Sequence, residues 1–119
     1  MGHYYYELTV IIHPHQSENL TSVIQPYLEL IQKDNGTVLA SEDWGKRLLA
    51  YPMNKLQKGH YFFLFFSCTP NMTKIMKTAL GYDKFILRHL IVRKHTPEYI
   101  PSELLGDDLE ADTPHFNQH

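Results

Sequence analysis

The run His60-Tyr61-Phe62-Phe63-Leu64-Phe65-Phe66-Ser67-Cys68 constrains this chain more than any other stretch. It is dense in aromatic residues and free of proline and glycine, so it reads as a β-strand. Successive side chains of a strand point to opposite faces of its sheet. Here both sets are apolar: Phe62, Leu64 and Phe66 on one side, Tyr61, Phe63 and Phe65 on the other. One set can pack beneath helices. The other is then expected on the opposite face, where an aromatic surface points to a partner unless loops or the tail fold back over it.

The other elements arrange themselves around this strand. Tyr4 to Ile12 is aromatic and β-branched and is stopped by His13-Pro14, so it predicts a first strand. Leu20, Val23, Ile24, Tyr27, Leu28 and Ile31 recur at the spacing of an amphipathic helix. Ser17-Glu18-Asn19 opens that helix, Asp34-Asn35-Gly36 closes it, and Pro26 inside it predicts a kink or a late start. A second strand is expected from Thr37 towards Tyr51, with an irregularity at Asp43-Trp44-Gly45. After His60–Cys68, the segment Thr69-Pro70-Asn71 opens a short helix with Asn71 as its cap. Met72, Ile75, Met76, Ala79 and Leu80 form its apolar face, and Gly81 ends it. Phe85 to Arg93 is the last strand. The order β-α-β-β-α-β predicts an α+β, ferredoxin-like domain, a four-stranded antiparallel sheet with two helices on one face. Residues 1–96 form that domain on this reading, and 97–119 an acidic, partly disordered C-terminal tail.

At 119 residues the chain is one domain's worth of material. A chain of this length buries roughly two thirds of its unfolded surface, enough to fold without a metal or a disulfide. Its one cysteine, Cys68, has no partner within the chain. Met1-Gly2-His3 leads directly into tyrosines and a glutamate, unlike a signal peptide, and no apolar run approaches a membrane helix. A reduced, cytosolic protein is expected.

The net charge of −2 conceals two opposed halves. The last 22 residues hold Glu98, Glu103, Asp107, Asp108, Glu110 and Asp112 and no lysine or arginine. The body carries all 11 basic residues against 7 acidic ones, a net of +4. Within the body, Glu42 to Tyr61 interleaves Lys46, Arg47, Lys55 and Lys58 with Trp44, Tyr51 and Tyr61. Cationic groups hold phosphates and flat rings stack on unpaired bases, so the mixture suits structured RNA. The same lysines could equally shield an exposed strand edge.

The run Asp43-Trp44-Gly45-Lys46-Arg47-Leu48-Leu49-Ala50-Tyr51-Pro52-Met53-Asn54-Lys55 resembles the signature of the bacterial small-subunit ribosomal protein S6 family. Tyr6-Glu7, His13-Pro14, Gly59-His60-Tyr61 and the segment Tyr82 to Arg93 match the family in order, so that the resemblance spans about residues 4 to 95. It implies a ferredoxin-like fold, no enzymatic activity, no cofactor and a structural role on the ribosome. It further implies binding to the central domain of small-subunit ribosomal RNA, in the platform, as a heterodimer with ribosomal protein S18. Carried over by position, Lys46, Arg47, Tyr51, Lys55 and Arg88 are expected to face RNA or the partner, and Lys58 and Arg93 complete the expected set. Gly2, His3 and Tyr4 stand where many members of the family place an arginine.

Two other readings stand beside it. An RNA-recognition motif shares the element order, and Lys58, Gly59, Phe62 and Phe65 match its third-strand consensus, with Phe62 the stacking ring. A small metal- or ligand-binding module is suggested by eight histidines, notably His13-Pro14-His15, but one cysteine and scattered histidines form no closed ligand set. No glycine-rich phosphate loop and no nucleophile elbow is present.

Overall fold

The computed structural model describes residues 2–53 and 55–95. The expected boundary at residue 96 and the acidic tail beyond it lie outside the described residues. Strand β1 (Tyr4–Ile12) leads into a 3-10 turn over Pro14–Asn19 and helix α1 (Leu20–Lys33). Strands β2 (Thr37–Met53) and β3 (Leu56–Cys68) form a hairpin. Helix α2 (Pro70–Tyr82) and strand β4 (Ile86–Lys94) complete the order. The strands lie β2-β3-β1-β4, and each neighbouring pair is antiparallel. The expected α+β architecture is therefore present.

Local chemistry explains the element boundaries. Asn35 takes a positive φ of 58° after α1, which lets the Gly36 N–H reach the Ile31 carbonyl at 2.8 Å and the Asn35 N–H reach Gln32 at 3.0 Å. These are the two bonds of a Schellman stop, with asparagine in the left-handed position. Helix α1 runs through Pro26 with that residue on its exposed face, so the expected late start is not seen. Helix α2 begins earlier than the sequence suggested. Its cap is Thr69, not Asn71: the Thr69 hydroxyl accepts the Met72 N–H at 3.3 Å and donates to Asp34 Oδ2 at 2.9 Å. One carboxylate thus joins the end of α1 to the start of α2. Helix α2 also continues past Gly81, and its buried face is Met72, Thr73, Met76 and Leu80. Ile75 is exposed, because the buried stripe runs one position off it.

The main core lies between the helices and one sheet face. Leu8, Val10 and Ile12 of β1 and Leu64 and Phe66 of β3 meet Val23, Ile24, Tyr27 and Ile31 of α1 and Met76 and Leu80 of α2. The opposite face departs from expectation. Tyr61, Phe63 and Phe65 are only 2%, 8% and 1% exposed. These three rings are therefore covered rather than bare. Tyr61 packs with Ile11 and Leu49 in a second, smaller core that Trp44, Leu56 and Leu87 flank. Trp44 covers Phe63, and the Tyr5 ring lies 6.2 Å from that of Phe65.

The irregularity predicted at Asp43-Trp44-Gly45 causes that cover. Pairing with β3 shifts between Asp43 and Gly45, and Gly45 has a φ of 76° that a side chain would resist. The extra residue, Trp44, is turned onto the sheet. Its indole N–H donates to Glu42 Oε1 at 3.0 Å, and the Gly45 N–H donates to Asp43 Oδ1 at 2.9 Å.

Candidate nucleic-acid interface

The seven residues expected to face RNA or a partner do not form one patch. Register divides them. Lys46 pairs with His60, and His60 pairs with Ile12 of the main core, so Lys46 lies on the helix side of the sheet. Lys58, two residues before His60, shares that side and is exposed. Arg47 pairs with Gly59 and lies on the other side with Tyr61. Arg88 pairs with Ile11 of the second core, so it shares the Arg47 side from the far edge of the sheet. Arg93 pairs with Tyr6 on the helix side, at the opposite end of β4, where its guanidinium stands 3.7 Å above the Tyr4 ring.

Tyr51 and Lys55 lie at the hairpin end. The hairpin is longer than the sequence suggested: β3 begins at Leu56 rather than His60, and Met53 pairs with Leu56. Lys55 holds the turn with a φ of 66° and is exposed, and Tyr51 is 55% exposed. Lys46, Tyr51, Lys55 and Lys58 are therefore open to solvent on one protruding hairpin. Arg47 differs. It is half-buried, its Nε donates to the Trp44 carbonyl at 3.2 Å, and its charge opposes the rise that burial imposes on the Tyr61 phenol's pKa. Arg47 supports the hairpin as well as charging it.

A hydrogen-bonded trio beneath the hairpin was not legible in the sequence. His60 contacts Asp43 through Nε2 and Ser17 through Nδ1, the latter at 2.7 Å. A carboxylate can only accept, so in the neutral ring the proton sits on Nε2 and Nδ1 accepts the Ser17 hydroxyl. The residue types are those of a hydrolytic triad, but the Asp43 side chain is 51% exposed and the His60 ring 7%, so solvent meets the carboxylate and the imidazole is enclosed. The trio braces β2 and β3 against the 3-10 turn. These residues are 17 to 43 positions apart, and no local spacing signals such a bond. Among the described residues, no group of three or more His, Cys, Asp or Glu side chains could hold a metal ion.

The model of the family described as Ribosomal protein S6 matches residues 5–93. The chain belongs to the ribosomal protein S6 family. Its fold is similar to the crystal structure of 30S ribosomal protein S6 from Thermotoga maritima, with a TM-score of 0.71 and 20% identity over 92% of this chain and 98% of that one. It is also similar, at a TM-score of 0.54 and 10% identity, to the C-terminal domain of the MgtC protein from Mycobacterium tuberculosis, over 83% of this chain and 96% of that domain. The second likeness shows how widely this architecture is used, and function must be argued from the site. Membership in the ribosomal protein S6 family makes the chain a structural protein of the small ribosomal subunit. The match contains the whole β2–β3 hairpin, which carries the exposed Lys46, Lys55 and Lys58.

Proposed function

We propose that this chain binds the central domain of small-subunit ribosomal RNA, in the platform, as a heterodimer with ribosomal protein S18, in the cytoplasm. The observation that carries the reading is the hairpin. From Lys46 to His60 it contains no acidic residue, and it presents Lys46, Lys55, Lys58 and Tyr51 to solvent. Ammonium groups place a protein on phosphates, and an exposed phenol ring offers a stacking surface for an unpaired base. Arg47 and Arg88 add charge on the other face, and Arg93 contributes from the far end of β4.

The weak charge of the body supports a shared site. Affinity for RNA grows with the number of phosphates neutralised, and a body of net +4 can neutralise few. Exposed apolar side chains on β2 support a partner there. Edge strand β2 exposes Val38, Leu39 and Leu48, and an apolar cavity of about 480 Å³ runs between it and α1, lined by Leu28, Ile31, Phe62 and Leu64. No described helix is long and apolar enough to cross a membrane.

The RNA-recognition-motif alternative fails on position. Its stacking rings must lie on the open sheet face. Phe62 lies among α1 residues on the helix side, and Phe65 is 1% exposed.

Binding of labelled central-domain RNA, with and without S18, tests the proposal. Tight binding is expected only with S18, and replacing Lys46 and Lys58 by alanine is expected to weaken it and reduce the salt dependence by about two counter-ions. Equal tight binding without S18 overturns the shared site.

A further inference from the structure

At the end of the sheet where β1 leaves and β4 begins, His13, His15, Gln16, Lys84 and Phe85 line a shallow cavity of about 330 Å³. None of these residues belongs to the set assigned above. We propose that this cavity receives one unpaired nucleotide of an RNA strand, its base against the imidazoles and its phosphate on Lys84. The inference rests on the RNA-binding reading and extends it.

The cavity is a built feature. The His13 N–H donates to the Phe85 carbonyl at 2.8 Å, which ties the 3-10 turn to the start of β4. The His15 N–H donates to His13 Nδ1 at 3.2 Å, and the two rings sit 4.7 Å apart, inclined at 52°. The Lys84 ammonium stands 5.3 Å from the centre of the Phe85 ring, so cation and aromatic surface occupy one wall.

The chemistry of the walls selects the ligand. Flat imidazole and phenyl rings stack on a base. The Gln16 amide offers both a donor and an acceptor to a base edge. Among the described residues, no carboxylate lines the cavity. The adjacent Asp83 is committed elsewhere, accepting the Tyr27 O–H at 2.6 Å and the Phe85 N–H at 2.9 Å, so its charge is drawn towards α1 and the turn. A cavity of 330 Å³ lies at the small end of the range for ligand sites, about 300–1,000 Å³.

Position links the cavity to the hairpin. Ile12 pairs with both His60 and Ile86 in the last row of the sheet, His13 and Phe85 follow directly, and Lys46 faces His60 in the same row. Three strand spacings, about 14 Å, separate β2 from β4 across that row. An RNA strand on the hairpin passes within reach of Lys84.

His15 and Lys84 are exposed, so their alanine variants keep the fold. In the full-length protein, a single-stranded RNA hexanucleotide of mixed sequence is expected to shift the His13 and His15 ring resonances, and Lys84→Ala to abolish the shift. Unmoved ring signals overturn the proposal, as do identical shifts from inorganic phosphate alone, which would mark a plain anion site. With central-domain RNA and S18, His15→Ala and Lys84→Ala are each expected to weaken binding about tenfold, the scale of one lost stacking or phosphate contact. If both variants bind like wild type while Lys46→Ala weakens binding, the cavity proposal falls and the hairpin reading stands. If the wild type fails to bind this RNA, the hairpin reading falls, and the hexanucleotide result alone decides the cavity.

Discussion

Trp44 lies flat on Phe63, with ring centres 5.6 Å apart and planes inclined by 10°. This pair closes the sheet face that the helices leave open, and it exists because a bulged β2 turns one residue inwards. Trp44→Ala is expected to cost about 2 kcal/mol, combining the stacking term with part of a large side chain's burial. Urea denaturation checks this, with a lowered midpoint at unchanged slope. An unchanged midpoint would mean that the pair contributes nothing to closing that face.

Gly59 is the crossing point of the hairpin and β1. A Cβ there would fall 2.3 Å from Ile11 Cγ2 and 3.2 Å from Leu49 Cδ2. Gly59→Ala is therefore expected to force the strands apart and cost about 2 kcal/mol, the scale of overpacking in a tight core. Thermal unfolding reads the loss as a drop of several degrees in Tm.

Tyr27 donates its hydroxyl to Asp83, a bond between the middle of α1 and the turn before β4. Tyr27→Phe should cost about 1.5 kcal/mol at neutral pH, as for a hydrogen bond to a charged group. Burial first, and Asp83 second, raise the Tyr27 pKa above its ordinary value of 10.0. A phenol held protonated in the native state stabilises fully below pH 10, and that contribution is lost as pH rises beyond it. The difference between wild type and variant should accordingly shrink above pH 10. A difference that persists at pH 11 would count against this account.

Cys68 is fully buried at the end of β3, and its pKa is raised from 9.0 to about 12, chiefly by burial and then by Asp34. The thiolate is the reactive form. The native protein is expected to resist a thiol reagent at pH 8, with labelling limited by opening of the fold. Rapid labelling of native protein would show that β3 is exposed in solution. The same shift makes the fold lose stability between pH 9 and pH 12, because the unfolded thiol ionises first.

Strands and helices were largely legible in the residues, because period-two and period-three-to-four patterns report which side of an element meets a core. The helix limits were less so. Asn71 has the right side chain for a cap, yet Thr69 performs the task because Asp34, from another helix, holds its hydroxyl in place. The exposed hairpin lysines were visible as a cluster, and their family was readable from the run around Arg47. The division of Lys46 and Lys58 from Arg47 between the two faces was not. It follows from pairing register and from the shift between Asp43 and Gly45, which turn neighbouring residues to opposite sides.

The sequence by itself determined the element order, the excess of basic residues in the body and the apolarity of both faces of β3. Those are properties of residues and their spacing, and they hold wherever the chain runs. Only the tertiary structure decided what covers Tyr61, Phe63 and Phe65, because Trp44, Leu49, Tyr5 and Ile11 arrive from other strands. It alone also placed His60 between Ser17 and Asp43, and His13 and His15 beside Lys84. Strand pairing makes neighbours of residues that lie far apart along the chain. A contact of that kind leaves no periodic trace in the sequence, whereas burial on one face of a strand or helix does.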